Sequence, residues 1–335
     1  MNLQWERRIL GIRRRSLGFF VKNVLSYLQR HKDMGLLNVV VFSSRRGGST
    51  WFRSLFDAVE NFSYADEPFS NPRAPRVFRG NEYLFSELTP EIRQQALTFM
   101  RKMVRGDLIV NRNSRVKERD FWRKTGRLMI KIVGPKYLYP ICVEEKNFVV
   151  FYLLRHPMAN VHSIMKSGWP NQLYAYLDSS YFTHKILSEE ERRLSKEIVE
   201  SKIDFDCHVL EWCFEYASFF RLDAKAAEKV YLVFYERLVF ELDSSLMRLC
   251  DIVKIDQSYL PAMKEIALRP SRTFRISHQE VKSYDFKKGL SSWRKNFSKE
   301  QEARCFEILG VFGIKAYSMG SDMPNLELSE GCKTL

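Results

Sequence analysis

Val39 to Phe42 is an unbroken run of β-branched and aromatic residues that stops at Ser43-Ser-Arg-Arg-Gly-Gly-Ser-Thr50. Trp51, Phe52, Leu55, Phe56 and Val59 then recur at helical spacing. Buried strand, tight glycine turn and helix start is the arrangement that cradles a phosphate, because the turn's backbone N–H groups and the helix N-terminus converge on the anion. Two arginines and several hydroxyls share the turn, so the pocket suits an oxyanion. Paired glycines are entropically costly unless backbone must approach a ligand closely; the alternative is a structural turn with surface arginines. The turn is not the nucleotide triphosphatase loop, in which Lys directly follows the last glycine. Here the cation Arg46 precedes Gly47 and Gly48, and Ser49-Thr50 follow.

A chain of 335 residues, 45% hydrophobic, can bury a full core. The net charge of +14 favours anionic partners. Nucleic acid is not among those expected, because no zinc-finger, helix-turn-helix or RNA-binding signature accompanies the charge. Cys142, Cys207, Cys213, Cys250, Cys305 and Cys332 are scattered without a C-x-x-C pair, which reads as mostly buried thiols in a reducing compartment. The basic N-terminus precedes an apolar run, Leu17 to Leu28, interrupted by Lys22 and Asn23. That run is about half of the ~20 residues a membrane span needs. It reads as a leader helix, with peripheral membrane contact as the alternative.

Strand and helix patterns alternate along the chain. Residues 86–105 read as a helix, 107–127 as a basic surface stretch, and 129–133 as a short strand bearing Lys131. Phe148 to Leu154 and Val230 to Tyr235 are continuous apolar runs of the kind buried on both faces of a parallel sheet. Residues 186–228 read as helical, a helix follows Tyr235 to about Asp251, and another runs from Ser298 to about Leu309. The alternation predicts one α/β domain with a parallel sheet. Its expected limits are 38–318, between a helical leader at 1–37 and a tail at 319–335.

Ligands of open α/β sheets bind beyond the carboxyl ends of the strands. The residues there are Ser43 to Thr50, Lys131, Arg155 and Tyr235. Arg155 ends an apolar strand and Ser163 follows on the next helix, a combination able to hold a second phosphate. The alternative for Arg155 is an ion pair with a carboxylate at the sheet edge.

Arg46-Gly-Gly-Ser-Thr-Trp51 after a strand resembles the 5′-phosphosulfate loop of sulfotransferases that use 3′-phosphoadenosine 5′-phosphosulfate (PAPS). Leu153-Leu-Arg-His-Pro157 through Ser163 resembles their 3′-phosphate site, Tyr235-Glu-Arg-Leu238 their Tyr-Glu-x-Leu, and Trp293-Arg-Lys295 their C-terminal Trp segment. Arginine at position 46 places the likeness on the carbohydrate, tyrosylprotein and bacterial side of the family. The resemblance implies a three-layer, P-loop-like α/β fold with a central parallel sheet flanked by helices. It also implies roles. Arg46, Gly47, Gly48, Ser49 and Thr50 would hold the 5′-phosphosulfate, with Trp51 against the adenine. Arg155 and Ser163 would hold the 3′-phosphate, and Tyr235 would touch the nucleoside. Glu67 would be the base, and Lys131 and Ser277 would sit beside the leaving group. Ser167 and Ser292 stand where the tyrosylprotein members carry Arg and Lys.

Sulfuryl transfer needs a base for the acceptor and positive charge over the departing phosphate. Glu67, Arg46, Lys131 and Ser277 supply these, with Glu67 alternatively pairing with an arginine such as Arg73 and His278 a rival base. That chemistry requires no metal, which suits the expected absence of a strand-ending Asp of the kind that holds Mg²⁺ in ATP-dependent kinases. A kinase of a small molecule or nucleotide is the alternative reading, and a non-catalytic polyanion binder a third. The basic stretches favour an acidic saccharide, glycan or glycolipid acceptor. A cytoplasmic location is expected, with membrane association or the Golgi lumen as alternatives.

Overall fold

A computed structural model describes residues 31–79, 85–108, 125–269, 289–325 and 333–335. Its centre is a six-stranded sheet of β1 (Asn38–Ser43), β2 (Phe62–Asp66), β3 (Arg127–Ile132), β4 (Phe148–Leu154), β5 (Tyr231–Phe234) and β6 (Lys333–Thr334). Every pairing is parallel, in the order β2-β3-β1-β4-β5-β6. Parallel strands need crossovers, and helices supply them. Among the described residues these include α1 (Ser49–Ser54), α2 (Pro90–Arg105), α3 (Pro157–Lys166), α4 (Glu189–Ser201) and α5 (Asp204–Leu222). Beyond β5 come α6 (Tyr235–Phe240), α7 (Leu242–Val253), α8 (Leu260–Ala267) and α9 (Lys299–Val311).

Alternate residues of each strand enter opposite apolar layers. Val40, Phe42, Ile130, Val150 and Tyr152 pack with Met100 of α2, Val161 of α3 and Phe214 of α5. Val39, Val41, Met129, Phe151 and Val233 pack with Phe52 of α1, Leu249 of α7 and Met263 of α8. With helices on both faces, β1 has no polar side, which is why Val39 to Phe42 is an unbroken apolar run. The three-layer α/β fold with a central parallel sheet is therefore as the sequence implied.

The elements differ from expectation in identifiable places. Phe62–Asp66 forms β2 at the sheet edge, a strand that short alternation does not announce. Lys333–Thr334 forms β6 beside β5, and the Leu335 N–H donates to the Leu232 carbonyl (3.0 Å). The helix expected from residue 86 begins at Pro90, where the Thr89 hydroxyl accepts the Ile92 N–H. The long stretch 186–228 breaks at Lys202, whose φ of 56° ends α4 in the left-handed region. The leader before residue 31 and most of the basic stretch lie outside the described residues.

Candidate active site

The chain runs from β1 outward to β2, returns to β3 beside β1, and then crosses to β4 on the other side. The crevice at the carboxyl end of β1 is thus where the strand order reverses, the favoured ligand position in such sheets. The turn between β1 and α1 occupies it. Gly48 adopts φ 96°, and a Cβ there would lie 2.6 Å from the Tyr235 ring. A Cβ on Gly47 would lie 2.5 Å from Ser43 Oγ and 2.6 Å from Ser44 Oγ. Gly48 is required by both its φ and the Tyr235 ring, a Cβ on Gly47 would press on two serine hydroxyls, and Arg46 itself sits at φ 59°.

The turn is clamped from α3. The Asn160 side-chain amide donates to Ser44 Oγ (3.1 Å) and to the Arg45 carbonyl (2.9 Å). Arg46 Nε donates to Ser163 Oγ (3.0 Å), and Arg155 Nη1 donates to the Arg46 carbonyl (3.1 Å). The two guanidinium groups expected at opposite ends of one ligand therefore share a pocket. Neither forms an ion pair among the described residues, so the sheet-edge ion pair considered for Arg155 is not what the structure shows. Burial, reinforced by the neighbouring Arg155 charge, lowers the Arg46 guanidinium below its ordinary value. Arg155 Nε is buried without a hydrogen-bond partner among the described residues. Two adjacent cations with no ion-pair partner among the described residues, one with an orphaned donor, are suited to an anionic ligand.

Tyr235 opens α6 at the end of β5. Its ring lies 5.0 Å from the Arg155 guanidinium and meets Trp51 edge-on at 5.3 Å. Trp51 is buried, and its indole N–H donates to the Ala267 carbonyl (2.9 Å).

On the other side of β1, Lys131 is buried at the end of β3. Its Nζ lies 3.3 Å from Glu67 Oε1, 3.5 Å from Thr50 Oγ1 and 3.9 Å from Asp66 Oδ1. Glu67 directly follows β2 and is strained, with φ 48°, while its carboxylate keeps partial exposure. β2 also overturns one expectation, since it does end in an aspartate, Asp66. The kinase alternative therefore cannot be set aside for want of a strand-ending Asp. What remains against it is the order of the turn, with its cation before the glycines.

Arg46, Gly47, Gly48, Ser49, Thr50, Trp51, Glu67, Lys131, Arg155, Ser163 and Tyr235 all fall at this one end of the sheet. Ser277 and His278 lie outside the described residues. Several supports escaped the sequence reading. Beneath Arg155, the buried Glu236 carboxylate accepts the His156 backbone N–H and the Tyr317 hydroxyl, both at 2.9 Å. His156 stacks on Trp293 at 5.1 Å, and its Nε2–H donates to the Ser321 carbonyl (3.1 Å). Burial, outweighing that bond, pulls the imidazole down to about 3, so it is neutral. Asn160 could have been suspected from its place on the helix carrying Ser163; the partners of Glu236 had no local signal.

The sequence matches the family model of the sulfotransferase domain over residues 37–315. No curated protein matches it. Among solved structures, it is similar to the sulfotransferase domain of the Synechococcus PCC 7002 olefin synthase. Identity is 15%, over 85% of this chain and 96% of that one, at a TM-score of 0.42. Mouse sulfotransferase SULT7A1 complexed with PAP is 13% identical over 92% of this chain and 90% of its own, at 0.43. The sulfotransferase domain of the curacin biosynthetic pathway is 14% identical over 83% and 98%, at 0.45.

Proposed function

The chain belongs to the sulfotransferase domain family and is a sulfotransferase, and from that premise we propose that it takes its sulfuryl group from PAPS and delivers it to a hydroxyl or amine of a glycan or glycolipid. The observation that supports the donor assignment is the Arg46–Arg155 pair, in which the Arg155 guanidinium donates to the Arg46 carbonyl and neither side chain forms an ion pair among the described residues. A nucleotide bearing phosphate at both the 3′ and 5′ positions would satisfy both, and it also suits the orphaned Arg155 Nε.

In this reading the turn from Arg46 to Thr50 holds the 5′ end, Arg155 and Ser163 hold the 3′-phosphate, and Tyr235 with Trp51 borders the nucleoside. PAPS supplies a sulfuryl group whose S–O bond to phosphate breaks as the acceptor oxygen bonds to sulfur. Glu67 receives the acceptor proton. Lys131, 3.3 Å from Glu67 and 3.5 Å from Thr50, stands between base and turn, where it stabilises charge on the departing phosphate oxygen. Ser277 is assigned to the same oxygen. Net positive charge draws an acidic saccharide toward the site. Cys142, Cys207, Cys213, Cys250 and Cys305 are buried free thiols, in keeping with the cytoplasmic location proposed. Among the described residues, no helix is long and apolar enough to cross a membrane.

The test is transfer of radiolabelled sulfuryl from PAPS to a panel of neutral and uronate-containing oligosaccharides, run beside γ-labelled ATP. Labelled saccharide from PAPS alone supports the proposal. Phosphorylated product from ATP, with none from PAPS, would favour the kinase alternative.

A further inference from the structure

Trp169 is left 44% exposed at the rim of a polar site. Its ring centroid lies 5.7 Å from the Arg46 guanidinium carbon and 6.0 Å from that of Arg45, so it borders the phosphate turn. Its backbone is held on both sides. Gly168, at φ 65°, ends α3 by donating its N–H to the Met165 carbonyl (2.9 Å), and the Trp169 N–H reaches the Ile164 carbonyl (3.4 Å). That pair of bonds is the Schellman closure of a helix.

On the far side, Arg45 Nη2 donates to the Pro170 carbonyl (2.9 Å) and to both oxygens of Glu211 (2.9 and 3.0 Å). The same Glu211 carboxylate accepts the Gln172 N–H (2.9 Å). Glu211 is buried on α5, so the phosphate turn and the loop bearing Trp169 are fastened to one helix. An indole mounted this firmly yet open to solvent offers a flat face beside the turn, at little ordering cost on binding.

Resting on the sulfotransferase reading above, we infer that Trp169 is the platform for the acceptor, a saccharide whose C–H face lies on the indole while its reacting hydroxyl reaches the turn. Asn171 and Gln172, half-buried on the same loop, carry amides of the kind that pair with ring hydroxyls, though the Asn171 oxygen also accepts the Leu173 N–H (3.5 Å).

The experiment compares wild type, Trp169→Ala and Trp169→Phe. Affinity for the 3′,5′-bisphosphate of adenosine is measured by calorimetry. Transfer kinetics are measured on methyl glycosides and short uronate-containing oligosaccharides, with a tyrosine peptide as the aromatic comparison. Trp169→Ala should raise saccharide KM roughly tenfold, the loss of one stacked ring, while bisphosphate affinity stays within about twofold. Trp169→Phe should recover most of the difference. Unchanged saccharide KM in Trp169→Ala, or a parallel loss of bisphosphate affinity, overturns the assignment. So does a wild type that binds the bisphosphate but sulfonates only the peptide or none of these acceptors. A wild type that fails to bind the bisphosphate overturns the donor reading first, and this one with it.

Discussion

Arg155 Nη1 donates to the carbonyl of Arg46 across 3.1 Å, joining strand ends 109 positions apart in the chain into one cationic pocket. Removing the side chain strips the pocket of one charge and of that link. Arg155→Ala should weaken binding of adenosine 3′,5′-bisphosphate by about 2–5 kcal/mol, the usual loss for a truncated buried charge contact. Calorimetry checks it, and an unchanged affinity would refute the 3′-phosphate role.

Gly48 and Gly35 both have positive φ, at 96° and 69°, but only Gly48 is crowded, by the Tyr235 ring. Gly35→Ala should cost about 1–2 kcal/mol of stability from backbone strain alone and leave ligand affinity intact. Gly48→Ala should lose bisphosphate binding as well, because the turn or Tyr235 must move. Paired denaturation and binding measurements distinguish the two; equal binding in both variants would contradict the prediction.

Glu67 is placed to take a proton and not to hold the nucleotide. Glu67→Gln should lower kcat by about 10²–10⁴ while bisphosphate affinity changes little. Lys131→Ala should lower kcat too. A Glu67→Gln enzyme with near-normal kcat would transfer the role of base elsewhere, with His278 the first candidate.

Lys136 and Glu215 form an ion pair with both side chains buried. Glu215→Ala leaves a buried ammonium uncompensated and should cost about 3–5 kcal/mol, whereas the double replacement Lys136→Met/Glu215→Leu should recover most of it. Urea titrations of the three proteins provide the check.

His156 makes stability depend on pH. The unfolded ring titrates near its ordinary 6.5, whereas the folded ring takes a proton only near about 3. Its contribution is therefore complete above pH 6.5 and is lost as the pH falls toward 3, at up to about 1.4 kcal/mol per pH unit. Glu236, raised by burial, acts in the opposite sense, its share lost as pH rises above 4.5. The informative quantity is the difference between wild type and His156→Asn from pH 4.5 to 6.5. The variant should show a flatter fall; an identical slope would contradict the assignment.

Much of this architecture was readable because its central strands are buried on both faces and so are written as plain apolar runs. Val39 to Phe42 and Phe148 to Leu154 carry that signature, and the residues that end them fall at one crevice. β2 was not readable: Phe62-Ser-Tyr-Ala-Asp66 is short and lies at an edge. Missing it also hid the reason Glu67 faces Lys131, which is that β2 pairs with β3 in register, Asp66 beside Lys131. Glu211 acts through contacts between distant elements, so its neighbours in sequence announce nothing; Asn160 and Glu236 lie in recognisable segments, but nothing local names their partners. Trp169 drew no reading from the sequence, because its place is set by Arg45 and by the helix closure at Gly168.

The strand order has a consequence for biosynthesis. Val39 pairs with Met129 on one side and Val149 on the other, so this central apolar strand leaves the ribosome long before either neighbour exists. Until then it is an unsatisfied β segment of low charge, the kind that invites aggregation. Added chaperone during expression should therefore raise the soluble yield, whereas slowed translation, which prolongs the wait for both neighbours, should lower it.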